Sequence, residues 1–385
     1  MTRTYLDYNA TAPLRPEARA AMLAALEMVG NPSAVHAEGR VVRGLVEAAR
    51  DDIAAFVGST IKDATISFTS GGTEACNLAL RLSHAPAGEV GRLIVSAIEH
   101  SAVREAVTYS GLPYEILPVL GDGVVDLAAL DGLLDNPRPA LICVMLANNE
   151  TGIIQPIAQI ARRAQAHGSL LFCDGVQAGG KMPINMAELG CDALSLSAHK
   201  LGGPTGIGAL ITRAGLVVPP LLRGGGQEQS RRAGTENISG IAGFAAAARA
   251  CDLAGLENLA RQRDDMENAL KAIAPICIFG ETAPRLPNTS NFAPNHENMG
   301  LDAETQLMAL DLAGVAVSAG AACSSGKIAR SHVLAAMGVE DRLAKAALRV
   351  SLGWQSTPQD TEKFIATWGN FMRQHGVDAS HRAAE

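Results

Sequence analysis

The residues best suited to chemistry lie in two short stretches, Cys173-Asp-Gly-Val-Gln177 and Ser195-Leu-Ser-Ala-His-Lys200. A lysine directly after Ser-x-His, at the end of an apolar strand-like run, suits an amine held in a closed site. An aspartate at the end of the earlier run 170–173 suits a partner for a protonated ring nitrogen. Pyridoxal phosphate (PLP) needs both: a lysine to bond its aldehyde, and an acid that keeps its pyridine cationic so that the ring accepts electrons. Each residue alone has a simpler explanation, Lys200 as the solvated start of a loop and Asp174 as a cap or turn residue. The pair gains weight from the clusters around it.

Phe68-Thr-Ser-Gly-Gly-Thr-Glu-Ala-Cys-Asn77 reads as strand, glycine turn and helix. At Gly72 the backbone can come close to a ligand, and the helix N-terminus with the Thr73 hydroxyl offers donors to an anion. An ordinary capped turn would look the same, and the loop matches neither G-x-G-x-x-G nor the G-K-[ST] phosphate loop. His100 follows the strand-like run 92–95 and suits either stacking and proton transfer over a cofactor or capping of the next helix. Asn149, in Asn148-Asn-Glu-Thr-Gly152, ends a very apolar run and can bond a cofactor hydroxyl or a carboxylate. Cys323 sits in Val317-Ser-Ala-Gly-Ala-Ala-Cys-Ser-Ser-Gly-Lys327 with no bulky neighbour, as suits an accessible thiol nucleophile, though also an inert loop cysteine. Arg349 opens an apolar run, where a guanidinium needs a fixed partner such as a carboxylate.

The elements that must position these residues alternate along the chain. Runs at 64–68, 92–95, 114–117, 140–146, 170–173 and 193–197 are continuously apolar, and helical patterns near 74–82, 101–109, 126–134 and 156–167 separate them. Such alternation predicts an α/β fold with a mostly parallel sheet covered by helices. Ligands of such sheets gather at the carboxyl ends of the strands, where all but the last two of these candidates fall. An Ala-rich helix is predicted over 238–254 and a charged one to about 273. Short strands at 289–292, 315–318 and 348–352 then indicate a smaller α+β domain, joined by the N-terminal strand or arm.

The chain has 385 residues, 48% hydrophobic and 18% charged, enough for two globular domains. A net charge of −7 without a Lys/Arg run gives no general attraction to nucleic acid or an anionic membrane. There is no leader pattern and no apolar stretch of membrane-spanning length. Seven dispersed cysteines without a C-x-x-C pair predict reduced thiols in a cytoplasm and give zinc no ligand spacing.

Asp7-Tyr-Asn-Ala-Thr-Ala-Pro13, Asn31-Pro-Ser-x-x-His36, the Thr73 loop, Asn148–Gly152, Asp174 with Gln177, Ser-x-His-Lys200, the segment 224–235 and the Cys323 loop occur together and in order. As a set, over residues 3–375, they resemble the NifS/IscS-like cysteine desulfurases, fold type I enzymes of the class V aminotransferase group. The resemblance implies a large PLP-binding domain over 14–255 and a small domain from 1–13 and 256–385 that carries the cysteine loop. It implies Lys200 as the cofactor-bonding lysine, Asp174 as partner of the pyridine nitrogen, Gln177 on the ring hydroxyl, and His100 stacked on the ring and moving protons. Gly72, Thr73, Ser197 and His199 would hold the phosphate, joined by Thr235 of the other subunit of a homodimer. Asn149 and Arg349 would grip the substrate carboxylate, with Asn149 also touching the cofactor.

The implied reaction takes sulfur from L-cysteine, leaving L-alanine and a Cys323 persulfide for an iron–sulfur scaffold or another acceptor protein. No resident metal is implied, only a passing contact of Cys323 with an iron–sulfur cluster. Two positions depart from the pattern, Thr205 where many relatives have Lys and Ala198 where Gly is common; neither removes a group that touches the chemistry. The cysteine loop resembles the longer-loop group, and Arg232-Ala-Gly-Thr-Glu-Asn237 with the C-terminal sequence leans toward the nitrogen-fixation-associated branch. A selenocysteine lyase, or another class V lyase or transaminase, would share the cofactor site. A sulfur carrier using Cys323 alone would leave Lys200, Asp174 and His100 unexplained.

Overall fold

The computed structural model describes residues 3–84, 90–295, 301–319 and 330–377. In chain order its strands are β1 (Thr4–Tyr5), β2 (Ala64–Thr69), β3 (Arg92–Ser96), β4 (Tyr114–Leu117), β5 (Ala140–Met145), β6 (Leu170–Asp174), β7 (Ala193–Ser197), β8 (Gly208–Arg213), β9 (Ile276–Ile278), β10 (Thr289–Pro294), β11 (Val315–Ala316), β12 (Ser318–Ala319) and β13 (Leu348–Ser351). Strands β2 to β8 form one sheet in the order β2-β8-β7-β6-β5-β3-β4. The pairs among β3 to β7 are parallel, while β8 runs antiparallel to both β7 and β2. Six strands therefore share one direction, and their carboxyl ends share one edge.

The central strands are apolar because helices cover both faces. Every residue of β5 is buried, and so is every residue of β3 and β7. Each large side chain hidden there contributes about 1.5–3 kcal/mol. Gly72–Ala79 and Ser101–Thr108 pack on one side; Ala37–Phe56, Ile157–Ala166 and Ile238–Arg249 build the cluster on the other. The helices Pro16–Leu26 and Ala37–Phe56 lie in a region where the sequence patterns above assigned no element.

β12, β13, β10 and β9 form a second, antiparallel sheet under the helices Leu256–Ile273, Ala303–Leu312 and Pro358–Gln374. Phe292 anchors it, edge-on to Phe364 at 6.4 Å and to Trp368 at 5.5 Å. The N-terminal strand β1 pairs in parallel with β11 at Thr4 and Tyr5, in a two-stranded sheet of its own.

Two elements differ from expectation. β8 follows β7 through a helix-poor connection and turns back on it, which sequence alternation alone does not reveal. The Ala-rich helix stops at Arg249 instead of 254. Arg15 Nη1 takes the carbonyl of Ala250 at 3.0 Å, and the Asp252 side chain accepts from Ala254 N at 2.9 Å, so the backbone groups that would extend the helix are already used. Among the described residues no helix is long and apolar enough to cross a membrane, and the six cysteines are free, four of them buried.

Candidate active site

Loops at the shared strand edge converge on a cavity of ≈ 400 Å³. Gly72 and Thr73 reach it beyond β2, His100 beyond β3, Asn149 beyond β5, Asp174 and Gln177 from the end of β6, and Ser197, His199 and Lys200 from the end of β7. Arg349 enters from the second sheet, paired in β13 with Asn291 of β10 and Ser318 of β12. Thr235 is exposed and outside this cavity. Cys323 lies outside the described residues, but Ser318, a few residues before it, is part of the cavity wall.

Lys200 is half-buried, and its Nζ donates to the main-chain oxygens of Asn9 at 2.6 Å and Ala10 at 2.8 Å. Burial and then repulsion from Arg349 pull its pKa down to about 8, against attraction from Asp7 and Asp174. An amine so placed is partly neutral near physiological pH and able to act as a nucleophile or base. Asp174 is buried; one of its oxygens accepts from Val176 N at 3.0 Å and Ser195 Oγ at 2.8 Å. These two donors fix the orientation of its carboxyl group at the cavity wall.

His100 caps the helix Ser101–Thr108, its Nδ1 accepting from Ala102 N at 3.1 Å. The neutral ring therefore carries its proton on Nε2. The ring is open toward the cavity, yet the wall behind it removes enough water to lower its pKa, opposed by Asp174 and assisted by Lys200. The helix cap is made, and the same residue lines the cavity. His199 bonds Thr11 Oγ1 through Nδ1 at 3.2 Å, and burial, followed by Lys200 and Lys181, holds its pKa at about 4. It is a neutral donor or acceptor at physiological pH.

Gln177 is buried, donating through Nε2 to Asn9 O at 3.0 Å. Arg349 donates through Nη1 to Asn149 O at 3.0 Å and through Nη2 to Asp7 Oδ1 at 2.7 Å. Its Nε is buried without a partner among the described residues. Asp7, Asn9, Lys181 and Ser195 carry much of this framework and were given no role from sequence. Asp7 and Asn9 did stand inside a quoted motif, so position at the end of an N-terminal strand was the available signal.

The residues present fit PLP. At the Gly72 end an added Cβ would stand 2.9 Å from Val176 Cγ2 and 3.3 Å from Ser197 Cβ, so only glycine leaves room for an approaching phosphate. Hydroxyls of Thr73 and Ser197 and the N-terminal N–H groups of the helix Gly72–Ala79 supply anion donors at that end. Lys200 and Asp174 occupy the same cavity. Among the described residues no group of three or more His, Cys, Asp or Glu is placed to hold a metal ion.

Comparison with known proteins gives four findings. The sequence pattern of the family described as aminotransferase class-V matches residues 4–364. A cysteine desulfurase of Cereibacter sphaeroides is 42% identical over 372 residues, covering 95% of this chain and 94% of that protein. The cysteine desulfurase IscS of Dictyoglomus turgidum is 42% identical over 368 residues, covering 92% and 91%. Among solved structures, a NifS-like protein from Rickettsia africae superposes with a TM-score of 0.87 at 33% identity, covering 97% of this chain and all of that one.

Proposed function

The chain belongs to the class-V aminotransferase family, and from that premise we propose that it is a PLP-dependent cysteine desulfurase. The observation that carries the reading is one cavity walled by Lys200, Asp174, His100, Arg349 and Ser318, the last at the entry to the Cys323 segment. When bound, the cofactor supplies an electron sink for the charge left as the substrate loses its α-proton. Asp174 holds the negative charge that keeps the ring cationic. Lys200 would hold the cofactor through its Nζ and, as the neutral amine, would take the substrate's α-proton. Gln177 would bond the ring oxygen, Gly72, Thr73, Ser197 and His199 would hold the phosphate, and the Arg349 guanidinium would grip the substrate carboxylate beside Asn149.

His100 moves a proton at Nε2 during the transfer. The Cys323 thiolate attacks the substrate sulfur; the carbon–sulfur bond breaks, the sulfur becomes a persulfide on Cys323, and the carbon product takes up a proton to leave as alanine. The large unit 14–255 and the small unit from 1–13 and 256–385 would each bring part of this site. Two apolar clusters, one largely within each unit, support that division, and a further cluster packs the two together. We further infer a cytoplasmic homodimer in which Thr235 reaches the partner's phosphate site, and which passes sulfur to an iron–sulfur scaffold or another acceptor. The exposure of Thr235 outside its own cavity supports the contact across the dimer.

The test adds L-cysteine to purified protein and to Cys323→Ser, and measures the visible cofactor band, alanine and protein-bound persulfide. Wild type is expected to show all three; the variant keeps the band and falls to background in alanine and persulfide. Unchanged turnover in Cys323→Ser would refute the assignment. Turnover of selenocysteine that does not need Cys323 would move it to a lyase.

A further inference from the structure

Lys181 is buried on the turn after β6, and no step above uses it. It has no carboxylate partner among the described residues; its Nζ donates to Gln177 Oε1 at 2.7 Å and to Asn9 Oδ1 at 3.0 Å. Hiding an amine among neutral groups is costly. Burial, then repulsion from Lys200 and Arg349, holds its pKa well below the usual lysine value, with only Asp7 opposing. Asp7 is itself paired with Arg349. On its other side Lys181 lines a cavity of ≈ 640 Å³, whose further charged residues are Lys200, Arg15, Arg261, Asp252 and Asp265.

Charged or neutral, an amine has the two N–H groups that these bonds require. Each amide must turn its oxygen toward Lys181 and its NH2 away. For Asn9 the NH2 then donates to Thr289 Oγ1 at 2.9 Å and Asn149 O at 3.3 Å. For Gln177 the NH2 donates to Asn9 O at 3.0 Å, at the wall of the cavity that holds Asp174 and Lys200. Without Lys181 the Gln177 oxygen has no donor among the described residues, and only the Asn9 carbonyl still opposes the flipped form.

We propose that Lys181 is a positioning residue that locks Gln177 as an N–H donor toward the cofactor's ring oxygen. The inference rests on the PLP reading above. A fixed donor at that oxygen stabilises its deprotonated form and lowers the pH at which the bound cofactor titrates.

The experiment follows the pH midpoint of the visible band in the holoenzyme, in Lys181→Met and Lys181→Gln, and in both Gln177→Leu and Gln177→Leu/Lys181→Met. Lys181→Met is expected to raise the midpoint by about half a pH unit or more, as loss of a hydrogen bond to a charged oxygen does. Lys181→Gln, which keeps a donor, should fall between. In the Gln177→Leu background Lys181→Met should add nothing, because the lysine acts through the glutamine. An unchanged midpoint in Lys181→Met, or a full additional shift in the double variant, overturns the proposal. If Lys181→Met does not retain cofactor, Lys181→Gln is read by the same criteria. A wild type without a visible band overturns the PLP reading as well, which distinguishes the two failures.

Discussion

At Lys200, burial and the Arg349 guanidinium outweigh two carboxylates, and the resulting pKa of about 8 has a measurable consequence. The neutral amine is the form that reacts with an aldehyde. In cofactor-free protein, reductive trapping of PLP on Lys200 should therefore rise with pH through about 8 instead of the 10.5 of a free lysine. The same shift sets the sign of a stability effect. Between pH 8 and 10.5 the unfolded chain carries a proton on this lysine that the folded chain lacks, so raising the pH across that window stabilises the apo fold. Below it both states are protonated and the contribution is flat. A trapping midpoint near 10 would mean that the wall around Lys200 is wetter than its contacts indicate. Lys200 and Asp174 were legible in sequence because each ends an apolar run beside other polar residues. Asp7, Asn9 and Lys181 were not, since their chemistry comes from partners far away in the chain; Asp7 meets Arg349 across 342 positions.

Single elements show how far local patterns reach. Apolar runs located six strands of the main sheet; five are largely buried, as a strand covered on both faces requires, and the edge strand β4 is largely exposed. They did not disclose β8, whose antiparallel return depends on pairing with both β7 and β2. Nor did composition end the Ala-rich helix correctly, because the stop is supplied by Arg15 from the N-terminal segment. That residue bonds Leu201 O and Ala250 O, both at 3.0 Å, and its guanidinium lies 4.9 Å from the Trp354 ring centroid. Arg15→Ala should lower unfolding stability by about 1–3 kcal/mol through two stranded carbonyls and a lost stacking contact. Chemical denaturation measures it, and a variant as stable as wild type would mean that water replaces both bonds without cost.

For the whole molecule, the site lies at the carboxyl edge of the main sheet, with Arg349 brought to that edge from the second sheet. The proposed homodimer adds one more chain to each site. Mixing Lys200→Ala with Thr235→Ala protomers should restore wild-type cofactor affinity in one of the two sites of the mixed dimer, since that site combines Lys200 of one chain with Thr235 of its partner. If Thr235 acted within its own chain, no site would be complete and titration of the mixture would recover nothing. The sequence by itself determined the α/β class, the strand ends at which ligands gather and the PLP chemistry, because strand burial and reactive residue types are local properties. Only the tertiary structure decided that Asp7 pairs with Arg349, that the Asn9 carbonyl accepts from Lys200, and that Lys181 donates to Gln177. Those relations depend on which distant backbone segments end up within hydrogen-bond reach, and no local pattern encodes that distance.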